Sequence, residues 1–255
     1  MVMANRDEIL SYCDDLLDSG SFEDYGPNGL QVPGRSEVRR LATGVSANLE
    51  TLRAAVEGGA ELVLTHHGLL WGDAVSALSV PMAARLRALL CSDVSLAAYH
   101  LPLDAHPEIG NNALLRDALD LDADERPFGR AKGSAVGVIG RASEPIGLDE
   151  LRRRLSQAVG REPLVFDAGP DRISTVGIVT GSGGFALHEA GPLGLDALVT
   201  GEPSEPVMGE AREYGVHFLA GGHYATETFG IRRLGELVAE RFSVEHEFID
   251  VPNPI

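Results

Sequence analysis

Short runs of β-branched and aliphatic residues alternate along the chain with stretches whose apolar positions recur at helical spacing, the order that a parallel α/β sheet requires. Val38 to Val45 reads as a strand. In NLETLRAAVEGG, Leu49, Leu52 and Val56 share one helical face, and Gly58 and Gly59 stop the helix. The run Leu62-Val63-Leu64 reads as a buried strand ending at Thr65-His66-His67. A second helix opens at Pro81, a favoured first-turn position, and leads into VSLAAYH, a strand that ends at His100.

The later part of the chain repeats this plan. ISTVGIVT reads as a strand, followed by a Gly-rich turn, a short helix and the strand LDALVT, which ends at Gly201-Glu202. Helix EPVMGEAREYG then leads to VHFLA and Gly221-Gly222-His223. Leu62 to His66 thus matches Ala197 to Gly201, and VSLAAYH matches VHFLAGGH, so the expected fold class is α/β with two related three-layer α/β domains. Between the repeats, SAVGVIGR and PLVFD read as strands, and LDELRRRLSQAVG reads as a helix with Leu148, Leu151, Leu155 and Val159 on one face. A last helix from about His223 to Arg241 and the strand VEHEFID return to the first domain. The expected domains are residues 1–127 with 222–255, carrying most of the candidate ligands named below, and residues 128–221.

Composition narrows the function. No apolar run reaches the ~20 residues of a membrane helix, and MVMANRDEILSYCDD is too polar for a signal peptide, so a soluble cytoplasmic protein is expected. Cys13 and Cys91 stand far apart without a CxxC, which leaves nitrogen and oxygen as the metal-binding donors. There are 38 acidic and 21 basic residues, a formal charge of −17, and Lys132 is the only lysine. Such a surface repels nucleic acid and anionic membrane. It fits either a solvated acidic surface in which Arg replaces Lys, or adaptation to high salt, where screening removes carboxylate repulsion.

In open α/β sheets, ligands bind beyond the carboxyl ends of the strands, where this sequence concentrates His and acidic residues. His66 and His67 follow one strand, His100 and Asp104 a second, Glu202 and Glu205 a third, His223 and Glu227 a fourth. His223 and Glu227 are four apart and share a helical face, which suits joint chelation. Adjacent His66 and His67 diverge on regular backbone, so they address two different ions more naturally than one. Mixed nitrogen and oxygen ligands suit Zn, Mn, Fe or Co. The plain alternative is that His66 and His67 are loop residues and that His223 and Glu227 are a cap and a surface pair.

THHGLLW (65–71), YHLPLDAHPEIGNN (99–112), TGEPSEP (200–206), GGHYATETFGIRRL (221–234) and PNGLQVPG near the start together resemble the NIF-three-like family, in its short form. Members are described as dinuclear-metal-centre proteins and type-two GTP cyclohydrolase I homologues. The resemblance implies two divalent ions in a cleft between the domains, held by His66, His67, Asp104, His223 and Glu227, with Glu227 touching both. It also implies a homohexamer. Many relatives carry a His in the helix where this chain has Gly209, so no role passes to Met208 or Gly209. The function expected is a divalent-metal-dependent hydrolase acting on a small molecule, with a nucleotide such as GTP the substrate that the resemblance suggests. Glu202 or Glu205 would act as acid or base, and His100 would orient a ligand or relay a proton. The alternative is a non-enzymatic metal-binding scaffold or regulator. GSGG (181–184) reads as a tight turn, Asn28-Gly29 as a turn, and Trp71 as packing. His188, His217 and His246 read as structural, and His106 as at most a helper of Asp104.

Overall fold

A computed structural model describes residues 3–72 and 77–255. Strand β1 (Ala4–Asn5) runs into helix α1 (Arg6–Leu17), where the Asn5 side chain accepts from the N–H groups of Asp7 and Glu8. β2 (Gly29–Val32), β3 (Glu37–Val38) and β4 (Arg40–Ser46) precede α2 (Leu49–Glu57), which is capped by Asn48. β5 (Leu62–His67), α3 (Val80–Ser92), β6 (Ser95–Ala98) and α4 (Leu101–Ala105) follow, with Ser79 capping α3 and Pro81 in its first turn.

Next come α5 (Asn111–Ala118), β7 (Asp122–Ala131), β8 (Ser134–Ile146), α6 (Leu148–Val159), β9 (Leu164–Phe166) and β10 (Ile173–Val179). The chain continues through α7 (Leu187–Ala190), β11 (Ala197–Thr200), α8 (Val207–Tyr214), β12 (His217–Ala220), α9 (His223–Thr226), α10 (Thr228–Phe242) and β13 (Glu245–Phe248).

The chain divides into two compact units, residues 1–103 with 230–251, and residues 104–229 with 252–255. The divisions expected at 127/128 and 221/222 both fall inside the second unit. β7 is zipped along β8 from Asp122↔Arg141 to Ala131↔Ser134, and the N–H groups of Gly221 and Gly222 donate to Thr200 and Gly201. His66 and His67 therefore belong to the first unit, and Asp104, His223 and Glu227 to the second.

In the first unit the sheet order is β13-β4-β5-β6-β2, parallel from β13 to β6 with β2 antiparallel at one edge. Ala42, Val63 and Leu96 on one side of the strands pack with Leu52 of α2 and Leu89 of α3. The alternate positions Leu41, Leu62, Leu64 and Ala97 are also fully buried, so both faces of the sheet are covered and its strands read as continuous apolar runs.

The second unit orders its strands β7-β8-β10-β11-β12-β9, with β10, β11 and β12 parallel. Alternate residues separate cleanly. Leu198, Phe218 and Val179 join one apolar cluster, while Val199, Leu219 and Ile178 join another that includes Leu151 and Leu155 of α6. This is a three-layer arrangement, as the sequence pattern requires. The matching segments of the two repeats occupy matching places: β4-β5-β6 and β10-β11-β12 are each three consecutive parallel strands.

The continuous helix expected from His223 is instead two helices, α9 and α10, joined at Glu227 with φ −105° and ψ 8°. The Thr226 hydroxyl contributes to the break, bonding to the carbonyl oxygens of Gly222 and His223 at 2.9 and 3.0 Å in competition with the backbone ladder.

Candidate functional site

In the first unit, β5 delivers His66 and His67 at its carboxyl end, and the segment after β6 delivers His100. The rings of His66 and His67 have centroids 4.7 Å apart, and those of His66 and His100 are 5.0 Å apart. Each of these three residues offers a ligand nitrogen, and the three atoms lie within 4.8 Å of one another, a group that could hold a metal ion. The divergence expected of neighbours on regular strand does not separate them, since His67 is the last residue of β5.

Hydrogen bonds fix the rings. His66 Nδ1 donates to the carbonyl of Tyr99 at 3.0 Å, and His67 Nδ1 lies 3.1 Å from the Ser46 hydroxyl. His100 Nδ1 donates to Asp24 Oδ1 at 2.7 Å, and its backbone N–H donates to Asn28 Oδ1 at 2.9 Å. Burial pushes the Asp24 carboxyl upward, but the hydrogen bonds from His100, Asn28 and Leu101 outweigh it and hold Asp24 below its ordinary range. Asn28 is thus a buttress of His100 as well as the residue before β2. Trp71, expected to be packing, is 45% exposed and sets its ring edge-on to His100, centroids 5.2 Å apart.

In the second unit, Asp104 is buried and accepts from Asn111 Nδ2 at 2.8 Å. His223 Nε2 is 3.1 Å from Glu227 Oε2, and its Nδ1 is 3.0 Å from Glu202 Oε1. The Ser182 hydroxyl donates to that same Glu202 oxygen. Burial pulls His223 down, but the adjacent carboxylates of Glu227 and Glu202 prevail and raise it to about 9. A cation bound at His223 therefore competes with a proton for the ring. Burial also acts upward on Glu202, against the hydrogen bonds of Ser182 and His223, which hold it below its usual value. Glu205 stands exposed before α8, so of the two glutamates offered as acid or base only Glu202 joins His223.

The glycines of GSGG do more than turn the chain. A Cβ on Gly181, whose φ is +63°, would lie 2.1 Å from Glu227 Oε1 and 3.2 Å from His223 Nε2, so this backbone forms a cradle for the pair. Beside it a cavity of about 320 Å³ is lined by Ser182, Phe185, His188, Glu202, Ser204 and Glu210.

The remaining histidines have structural partners. His106 Nδ1 accepts from the N–H groups of Glu108 and Ile109. His217 is buried and accepts from Ala168 and Gly169, and His246 meets the Thr43 hydroxyl at 2.8 Å. Cys13 and Cys91 are both free. Among the described residues no helix is long and apolar enough to cross a membrane.

Two α/β units with imidazole and carboxylate donors at their strand ends define a two-domain protein suited to divalent metal. The donor chemistry fits: three imidazoles that lie together in the first unit, and in the second the His223 imidazole beside the buried Glu227 carboxylate, whose burial is costly without positive charge nearby. The profile of the family described as Duf34/NIF3 (NGG1p interacting factor 3) matches residues 4–254, and the chain belongs to this family. The "GTP cyclohydrolase 1 type 2 homolog" of Deinococcus radiodurans is 41% identical over 247 residues, covering 97% of this chain and 93% of the relative. The protein of the same name from Pseudomonas aeruginosa is 42% identical over 246 residues, covering 96% and 97%. Among solved structures, "protein ybgI, unknown function" superposes with a TM-score of 0.93 at 38% identity, covering 98% of this chain and all of that one.

Proposed function

We propose that the protein is a divalent-metal-dependent hydrolase with a dinuclear centre, whose ligands are His66, His67, Asp104, His223 and Glu227, with Glu227 serving both ions. The observation that carries this reading is the pair formed by His223 with Glu227, a buried carboxylate beside an imidazole, backed by a glycine that leaves no room for a side chain. Two such ions, of Zn, Mn, Fe or Co, supply Lewis acidity and lower the pKa of a coordinated water toward neutrality.

The chain's own residues set the rest. Glu202, held ionised by Ser182 and His223, is the group placed to accept a proton and to orient His223 through Nδ1. The neighbouring cavity, of about 320 Å³ and lined by Phe185, Glu202 and Glu210, has room for a planar heterocycle. These features favour a nucleotide substrate, the class that the names of the relatives indicate. The test is to incubate protein of proven metal content with a panel of nucleotides and phosphoesters. Hydrolysis of a nucleotide is the expected result, and turnover of none would refute the hydrolase in favour of a metal-binding scaffold.

We also propose a cytoplasmic homohexamer, adapted through its charge of −17 to high salt. Light scattering in KCl should return six chains, and a monomer mass counts against it. The melting temperature should rise with KCl concentration.

A further inference from the structure

We propose that Arg161 and the segment Pro252–Ile255 form a clamp on the backbone at either side of His223, and so act as positioning elements for that side chain. The proposal rests on the reading above that His223 binds metal, and gives a role to residues outside the ligand set.

The need for a clamp follows from the shortness of α9, which has four residues. A single helical turn is too short to hold itself, and its first N–H groups have no partners within the helix. Its neighbours must supply them. The Tyr224 N–H donates to the backbone oxygen of Ile255 at 3.0 Å, and the Gly222 N–H donates to the carbonyl of Gly201 at 2.8 Å. His223 stands between these two bonds, so they fix the stretch of backbone from which its imidazole projects.

Arg161 fastens the segment that reaches Tyr224. Gly160, with φ +70°, ends α6 in the left-handed conformation that glycine favours and turns the next residue out of the helix. A Cβ on Gly221 would meet Leu155 and Val159 of α6 at 3.2 and 3.4 Å, so the end of this helix lies against the glycines before His223. Arg161 covers Gly222, whose φ is +103° and where a Cβ would sit 2.7 Å from Nη1. The same Nη1 donates to the Pro254 carbonyl, and the Ile255 N–H donates to Asn253 Oδ1 at 3.0 Å. One guanidinium thus touches the backbone before His223 and the segment bonded to the residue after it. Burial of apolar surface is not what seats the end of that segment, because Ile255 is 59% exposed. Its backbone bond to α9 is.

The test is a Co²⁺ titration of the full-length protein, of His223→Ala, Arg161→Met and Arg161→Lys, and of a protein lacking residues 253–255. Affinity is read from the visible cobalt spectrum, and hydrogen exchange is followed at the Tyr224 amide. The equivalent of cobalt lost in His223→Ala should bind about 10–100-fold more weakly to the shortened protein, and about 10-fold more weakly to Arg161→Met, as expected when groups that orient a ligand are removed. Arg161→Lys keeps a donor for Pro254 and should recover most of the loss. Exchange at Tyr224 should quicken in the shortened and Arg161→Met proteins.

Circular dichroism at the titration temperature identifies the folded variants. Wild-type cobalt affinity in a folded shortened protein overturns the proposal, even where the melting temperature falls, because a merely structural segment would lower stability and leave the ion in place. If the shortened protein does not fold, Arg161→Met and Arg161→Lys decide the matter, and equal affinity in both overturns it. Cobalt binding untouched by His223→Ala refutes the ligand reading and the clamp with it, whereas binding lost in His223→Ala but kept in the clamp variants refutes the clamp alone.

Discussion

Gly181 and Glu227 adjoin so closely that a methyl group on the glycine would sit 2.1 Å from Oε1 of the carboxylate. Gly181→Ala should therefore act twice. A residue with a Cβ at φ +63° costs about 1–2 kcal/mol in backbone conformation, and the displaced carboxylate loses its place against His223. The expected outcome is a stability loss of about 1–3 kcal/mol in urea, together with lowered metal content by elemental analysis. Wild-type metal content in a folded Gly181→Ala protein would show that the glycine only turns the chain.

Replacing ligands one at a time should reveal unequal roles. His66→Ala, His67→Ala and Asp104→Ala should each chiefly deplete one metal, whereas Glu227→Ala should reduce both and abolish hydrolysis. Elemental analysis of variants verified by circular dichroism decides this. Near-normal content of two metals in Glu227→Ala would refute its shared role.

The glycine within α8 offers a stability test. Gly209 lies exposed within α8, and a Cβ there would meet nothing within 4 Å. Gly209→Ala should stabilise by about 0.5–1 kcal/mol, because alanine loses less backbone freedom in a helix. A thermal scan should show a gain of about 1–3 °C, and a fall in melting temperature would contradict the open space around Gly209.

His246 gives the protein an acid-sensitive point away from the metal ligands. Burial lowers its pKa, against the opposing charges of Glu236 and Glu247, and the Thr43 hydroxyl at 2.8 Å is free to donate to the neutral ring. Since the folded value lies below the ordinary 6.5, the unfolded chain binds more protons between the two values. Stability from this group is complete above pH 6.5 and falls as the pH drops toward the folded value. His246→Gln should flatten that fall, measured as the difference in urea midpoint between pH 7.5 and 5.5. An unchanged difference would assign the acid sensitivity elsewhere.

The elements that declared themselves in the sequence are those whose apolar positions repeat at one period. β5, β6, β11 and β12 are buried on both faces and so read as short unbroken apolar runs, and their carboxyl ends marked His66, His67, His100 and His223 as candidates. β7 was hidden because DADERPFGRA is charged and contains Pro127, and its pairing with β8 is what moves the unit boundary. The parts played by Asp24, Asn28 and Ser46 were not legible either. They reach their histidines across 76, 72 and 21 residues of chain, and a spacing of that kind leaves no periodic trace. The adjoining of Gly181 and Glu227 was hidden for the same reason, although a glycine run directly after a strand was a signal that the backbone must come close to something.

The interruption of the first unit by the second has a bearing on how the chain is made. Residues 104–229 are contiguous and, apart from the last four residues of the chain, are complete when Phe229 leaves the ribosome, whereas the first unit must wait for β13 to lie along β4 from Glu245↔Arg40 to Phe248↔Thr43. Until then β4 offers a bare parallel edge whose backbone groups invite pairing with another chain. The usual vectorial order, amino-terminal domain first, is thereby reversed, and a nascent chain stalled before residue 245 exposes an aggregation-prone sheet while its later-made unit already has every strand of its own sheet.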